Sequence, residues 1–179
     1  MKRVMVDIET LSTRKDAAVL SIGAVMFDDT QILDSAGYAI DMRKMTGHID
    51  PSTVKWWLEQ SDTARAYSFS GTEKPDAVAS WLGTYLEGAT EVWANDPDFD
   101  MVILQNWWER TTASRWPANF RNYRSVRTMT MLAQRYHIET AHVWTGATAH
   151  NPIEDAACQA RAVIEVFKAL DRRHGEMLR

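Results

Sequence analysis

The stretch Val4-Met5-Val6-Asp7-Ile8-Glu9-Thr10 decides how this chain is read. Its β-branched and apolar residues make a short strand of the buried type, interrupted by two carboxylates at i and i+2. Side chains alternate faces along a strand, so Asp7 and Glu9 point the same way and Ile8 the other. Two acids side by side on a buried face repel each other and lose hydration. A positive charge between them relieves both costs, and a divalent metal is the usual one. The plainer alternative ends the strand at Val6 and leaves both acids solvated. A bare Asp-x-Glu is too short to choose between the two, so the choice rests on whether the rest of the chain supplies partners.

At 179 residues, with 45% hydrophobic and 25% charged content, the sequence is that of one globular domain, residues 1–179, able to bury a real core. The net charge of −4 means that a polyanionic partner must be met by a local basic patch and by metal. A single cysteine, Cys158, excludes an internal disulfide and fits the reducing cytoplasm. The apolar run after Met1-Lys2-Arg3 stops at Asp7, too short for a signal peptide, and no run approaches a membrane span. Cytoplasmic residence without membrane contact is the expectation.

Residues 2–8 read as a first strand and Val19 to Phe27 as a second, with Gly23 a bulge or a point of close approach. A turn at Asp28-Asp29-Thr30 leads into a third strand, Gln31 to Ile40, paired as a hairpin. Helices open at Asp50-Pro51 and at Lys74-Pro75, the second closed by Gly88, with a short helical piece after Ser61-Asp62. A fourth strand, 90–94, precedes a helix opened by Asp96-Pro97. A short strand at 123–127 and a helix at 128–136 follow, then a polar loop without period, His137 to Ala149. The last helix starts at Asn151-Pro152-Ile153-Glu154, with Asn as cap, Pro at the first position and Glu at the third. It runs to His174 with Gly175 past its end. A β-meander followed by alternating strands and helices predicts an α/β domain, a mixed sheet with helices on both faces.

Three later residues join the opening acids. Asp100 lies in Asn95-Asp96-Pro97-Asp98-Phe99-Asp100, in the first turn of a helix. The helix dipole and capping account for Asp96 and Asp98 there but less well for Asp100. Asp155 sits roughly 130° around the last helix from the centre of its apolar stripe, so it does not fill the core. Its flank of Gln159, Ala162 and Val166 is semi-apolar. His150, just outside the cap, sits on the polar loop and is free to approach Asp155. Each residue alone also reads as a surface acid or an ordinary surface histidine.

Taken in order, Asp-x-Glu ending the first strand, Asn-x3-Phe-Asp after a later strand, and His-x4-Asp opening the final helix resemble the DEDDh 3′→5′ exonucleases. These include polymerase proofreading subunits, oligoribonuclease and ribonuclease T. The sister group carries Tyr four residues before the last Asp, where this chain has Asn151. The compact length and Thr53-Val54-Lys55-Trp56-Trp57-x2-Gln60 are similar to a small phage and bacterial group of ribonuclease T-like exonucleases.

The resemblance implies a ribonuclease H-like α/β fold and two divalent cations, Mg²⁺ or Mn²⁺, about 3.5–4 Å apart. It implies that Asp7 bridges the two ions, that Glu9 and Asp155 hold the one carrying the nucleophilic water, and that Asp100 holds the second. It makes His150 the group that takes the proton from that water, a task suited to imidazole near neutral pH. Products would be nucleoside 5′-monophosphates released from the 3′ ends of single-stranded RNA or DNA, with RNA slightly favoured. The backbone at Thr10 and Leu11 is expected at the terminal 3′ hydroxyl, with Leu11 as a wedge against the last base or simply packed at the strand end. Phe99 is expected to contact substrate. Trp56 and Trp57 cannot both face one way on a helix, and Trp57 is assigned to substrate stacking. A homodimer is also implied.

From Trp107 to Tyr136 there are six arginines, Arg127 among them, and one acid, Glu109, a local balance of +5. Six aromatics are interleaved. The composition suits phosphate contact with base stacking, and it equally suits a subunit interface. Two other functions stay open on sequence alone: a catalytically weak nucleic-acid-binding module of the same fold, and a phosphoesterase of very short oligonucleotides.

Overall fold

A computed structural model describes residues 1–177. Strands β1 (Arg3–Thr10), β2 (Val19–Phe27) and β3 (Ile32–Ala39) form the antiparallel meander. Strands β4 (Glu91–Ala94) and β5 (Tyr123–Ser125) extend the sheet parallel to β1, giving the order β3-β2-β1-β4-β5. The helices are α1 (Pro51–Leu58), α2 (Asp62–Phe69), α3 (Pro75–Leu86), α4 (Pro97–Thr111), α5 (Val126–Arg135) and α6 (Pro152–Met177). The α/β architecture with a mixed sheet is as the sequence predicts, and no described helix is long and apolar enough to cross a membrane.

The alternation along β1 divides the core. Val4, Val6 and Ile8 pack with α3 and α4, through Val78, Leu82, Ile103 and Trp107. Met5 packs on the opposite face with Val126 of α5 and Ala156, Ala160 and Val163 of α6. Asp7 and Glu9 continue the Met5 face, which directs both carboxylates toward the start of α6.

Two glycines let α6 come that close. Gly23 on β2 pairs with Asp7 on one side and Gly37 on the other. A Cβ on Gly23 would lie 2.2 Å from the carbonyl oxygen of Pro152, and one on Gly37 would lie 2.5 Å from Cγ1 of Ile153. The close approach expected at Gly23 is therefore made by the first turn of the last helix. Asn151 caps that turn, its Oδ1 accepting from the Ile153 N–H at 3.1 Å while its Nδ2 donates to Glu154.

Several boundaries differ from the sequence expectation. Helix α5 begins at Val126 rather than Thr128, because Ser125 serves as its cap and accepts from the Thr128 N–H. The loop 137–149 contains a 3₁₀ turn at Ala141–Trp144. Gly175 does not end α6, which continues through it to Met177. Gly88, which does close α3, has the left-handed φ of +68° that a glycine stop uses. Asp96 makes no side-chain cap to α4; its backbone N–H donates instead to Oδ2 of Asp100.

Candidate active site

The C-terminal ends of β1 and β4 and the N-terminal ends of α4 and α6 converge on a cleft of about 480 Å³. Asp7, Glu9, Asp100, His150 and Asp155, which lie 148 residues apart at the extremes, all line it. Ile8, Asn95, Asp96, Phe99, Arg127, Trp144 and Gln159 complete its walls.

The carboxylates are held at high electrostatic cost. Burial pushes Asp7 well above the ordinary carboxylate range, and the charges of Asp100, Glu9 and Asp155 push it further. Glu9 is raised to about 8, first by burial and then by Asp155 and Asp100. Asp100, 4% exposed, is raised to about 7 by burial, partly offset by backbone N–H groups at the start of α4. Burial also raises Asp155, against the N–H of His150, which donates to its Oδ2 at 2.8 Å. A cluster of acids this crowded is stable as a set of anions only with added positive charge.

Glu9, His150 and Asp155 each bring a ligand atom within 4.8 Å of the others, and Nδ1 of His150 stands 3.7 Å from Oε1 of Glu9. His150 has a left-handed φ of +64°, a conformation worth roughly 1–3 kcal/mol of local strain for a non-glycine residue. Its N–H bond to Asp155 and edge-on contacts with Trp56 (4.8 Å between centroids) and Trp57 (6.1 Å) hold it there.

A second hollow of about 340 Å³ adjoins the cleft. Thr10, Thr13, Ser52, Thr53 and Trp56 line it, and it shares Ile8, Glu9 and Phe99 with the cleft. Arg127 lies on the cleft's far rim, 3.6 Å from Asp96. Two expectations need correction. Trp57 is 1% exposed and donates from Nε1 to the Thr10 carbonyl at 2.9 Å, so it supports the end of β1 and cannot stack on substrate. Its neighbour Trp56, 40% exposed, faces the hollow. Of the two readings of Leu11 the wedge falls and strand-end packing holds: its side chain is 2% exposed against Leu20 and Trp57, its N–H donates to Ala18 and its carbonyl accepts from Asp50.

The basic segment divides in the same way. Trp107, Trp108 and Trp116 are core residues, and Arg110 donates to the Ala17 carbonyl. Sequence reasoning missed Gln159, whose Nε2 donates to Asp7 Oδ1 at 2.7 Å, and Trp144 in the loop. Gln159 carried a usable signal: it follows Asp155 by one helical turn and so shares its face.

Residues 2–167 match the profile of the 3′-5′ exoribonuclease Rv2179c-like domain. The chain belongs to that family. It is a 3′→5′ exonuclease by family, and solved structures agree on the fold at low identity. Exonuclease X in complex with 5′-overhanging duplex DNA is 12% identical at a TM-score of 0.59, covering 93% of this chain and 92% of that one. The zinc-bound E. coli exonuclease I–ssDNA complex is 11% identical at 0.69, covering 99% of this chain and 42% of that one. S. pombe Pop2p with Mg²⁺ and Mn²⁺ bound is 12% identical at 0.60, covering 92% and 82%. Comparison with curated proteins finds no match. The 3′→5′ exonuclease assignment made from three short motifs therefore holds at the level of the family, and the α/β fold it implies is shared with these structures.

Proposed function

We propose that this exonuclease removes nucleotides one at a time from the 3′ end of single-stranded RNA, with two divalent cations at Asp7, Glu9, Asp100 and Asp155. The observation that carries the reading is the convergence of four acids and His150 on a cleft that opens into a hollow of nucleoside scale. The all-oxygen acid set fits Mg²⁺ or Mn²⁺, ions that when bound polarise the phosphate and lower the pKa of water. Asp7, central among the acids, would be the ligand held in common. Glu9 and Asp155 lie on the His150 side, and Asp100 lies across from them on α4.

The chain's own groups account for the rest. Trp56 and Phe99 flank the terminal nucleoside, with Thr13, Ser52 and Thr53 available to its sugar hydroxyls. Those polar groups suit a 2′ hydroxyl, and the family's exoribonuclease description supports RNA over DNA. His150 takes a proton from the attacking water. As the new P–O bond forms, the bond to the O3′ of the penultimate nucleotide breaks and that oxygen takes a proton from solvent, leaving a shortened strand with a 3′ hydroxyl and a free nucleoside 5′-monophosphate. The reading includes cytoplasmic residence, in keeping with the buried free thiol of Cys158. It also includes a homodimer, for which the exposed Leu58 and Ile49 offer apolar surface.

The test is release of mononucleotides from matched 3′-labelled RNA and DNA oligomers with Mn²⁺, repeated with chelator. Faster release from RNA, abolished by chelator, is expected. Equal or faster release from DNA would remove the RNA preference, and release that survives chelation would remove the metals.

A further inference from the structure

We propose that a second cleft, formed by Gln105, Arg115, Trp116, Phe120, Arg121 and Tyr123, anchors the upstream part of a single-stranded nucleic-acid substrate. The proposal rests on the exonuclease reading above and adds a binding site to it. With a volume of about 690 Å³ this cleft is larger than the catalytic one.

Its place in the fold is the first argument. Strand β5 is the outermost strand on its side of the sheet and runs parallel to β4, with Tyr123 opposite Val92 and Ser125 opposite Ala94. Arg127, just past the C-terminal end of β5, lines the catalytic cleft. Phe120 and Arg121 precede the N-terminal end. At about 3.3 Å per strand residue and 2 Å per 3₁₀ residue, Tyr123 lies at most about 13 Å from Arg127 along the chain and Phe120 roughly 15–20 Å. A strand whose 3′ end is in the hollow and whose last phosphate is at the acids would pass Arg127 on its way to this cleft.

The chemistry of the cleft is the second. Phe120 is 68% exposed on a 3₁₀ turn that Asn119 caps by accepting from the Arg121 N–H. The Arg121 guanidinium lies over the ring, 4.8 Å from its centroid. Below it, Trp116 donates from Nε1 to the Tyr123 hydroxyl at 2.7 Å and packs edge-on against Trp108, which fixes the floor. Among the described residues neither Arg115 nor Arg121 forms an ion pair. The one acid of the cleft, Glu109, accepts from Gln105 at 3.2 Å. An exposed aromatic platform beside unneutralised guanidiniums takes a nucleobase and its phosphates without reading sequence. A second copy of the chain fits less well, because a two-fold contact here would set Arg115 and Arg121 against their own counterparts.

The test compares Phe120→Ala/Arg121→Ala with the unmodified protein. Cleavage of a dinucleotide and of a single strand of about 4–16 nucleotides, the span usual for single-strand grooves, is measured alongside sedimentation. Binding of the longer strand to the metal-stripped protein is measured over a salt series. The expected result is a KM for the longer strand raised roughly 5- to 150-fold, the loss of one stacked base, with dinucleotide cleavage and oligomeric state unchanged. The salt slope of binding should shrink by about one for the arginine removed, and Phe120→Tyr should restore KM. An unchanged KM, or a changed oligomeric state with equal losses on both substrates, overturns the anchor and leaves the exonuclease standing. If the unmodified protein releases no mononucleotide, the exonuclease reading fails, and strand binding by the metal-stripped protein still decides the anchor.

Discussion

The side-chain amide of Gln159 donates a 2.7 Å hydrogen bond from Nε2 to Oδ1 of Asp7, joining the last helix to the first strand. Burial and three neighbouring carboxylates all push the Asp7 carboxyl upward, and Gln159 pulls the other way. The bond also fixes the rotation of the carboxylate. Groups that orient metal ligands in this way typically contribute about 10–100-fold in affinity or activity. Gln159→Leu is therefore expected to weaken Mn²⁺ binding by that factor, measured by calorimetry, with a parallel fall in kcat and a retained Tm. Asp7→Asn should abolish turnover while leaving the fold as stable or more so, since it removes one charge from a repelling set. Unchanged Mn²⁺ affinity in Gln159→Leu would show that the bond is only structural.

The raised acids make the metal-free protein sensitive to alkaline pH. Glu9 ordinarily titrates near 4.5 but is raised to about 8 in the folded state, and Asp100 is raised from 3.8 to about 7. Between the lower and upper values the folded state binds more protons than the unfolded one. Its stability therefore falls as pH rises across that window and is lowest above pH 8. A bound divalent cation would replace those protons. Without metal, Tm should drop by several degrees between pH 6 and 9. Mn²⁺ should raise Tm more at pH 8 than at pH 6, and its binding should release protons. Equal metal-induced shifts at both pH values would mean that the acids are already ionised in the metal-free protein.

Trp56 and Trp57 are adjacent in sequence and opposite in role. Trp57, 1% exposed, fills the space between Leu11, Leu20 and Ala64. Truncation of a buried Trp costs about 3–5 kcal/mol, and that much loss in a urea titration is expected for Trp57→Ala. Trp56 is exposed toward the hollow beside Thr53 and Phe99. Trp56→Ala should cost little stability but raise KM, by the ~1–3 kcal/mol that a stacked base contributes. Wild-type KM in Trp56→Ala would remove the stacking role.

That pair also shows what the sequence could and could not convey. Strand β2 was legible to the residue at both ends because Val19 to Phe27 is a continuous apolar run bounded by polar turns. The starts of α1 and α6 were legible because Asp50-Pro51 and Asn151-Pro152 satisfy helix-terminal N–H groups by local chemistry alone. The five clustered residues were legible as ordered motifs whose meaning came from a family resemblance. The phase of α1 was not: an eight-residue helix makes about two turns, and its two tryptophans are equally apolar, so only the tertiary position of β1 decides which is buried. The choice between the two readings of Leu11, the partner of Gln159 and the place of Trp144 were hidden for the same reason. Their roles depend on contacts with distant segments, at Trp57, Asp7 and the cleft wall.

Gly23 gives the most direct test of how the fold assembles the site. It is paired with Asp7, and a Cβ there would come within 2.2 Å of the Pro152 carbonyl and 2.6 Å of the Ile153 nitrogen, both backbone atoms that no side-chain rotation can move away. Gly23→Ala must push the first turn of α6 off the sheet, carrying Asp155 and the His150 N–H bound to it away from Glu9. Overpacking of this kind typically costs about 1–3 kcal/mol, read from urea midpoints at constant m. The displacement should cost more in function than in stability. Mn²⁺ affinity and kcat should both fall even at temperatures where the variant is fully folded, whereas Gly88→Ala, whose added Cβ meets nothing within 4 Å, should lose stability through its left-handed φ alone and keep its metal affinity. Matching metal affinities in the two variants would mean that α6 adjusts without moving Asp155.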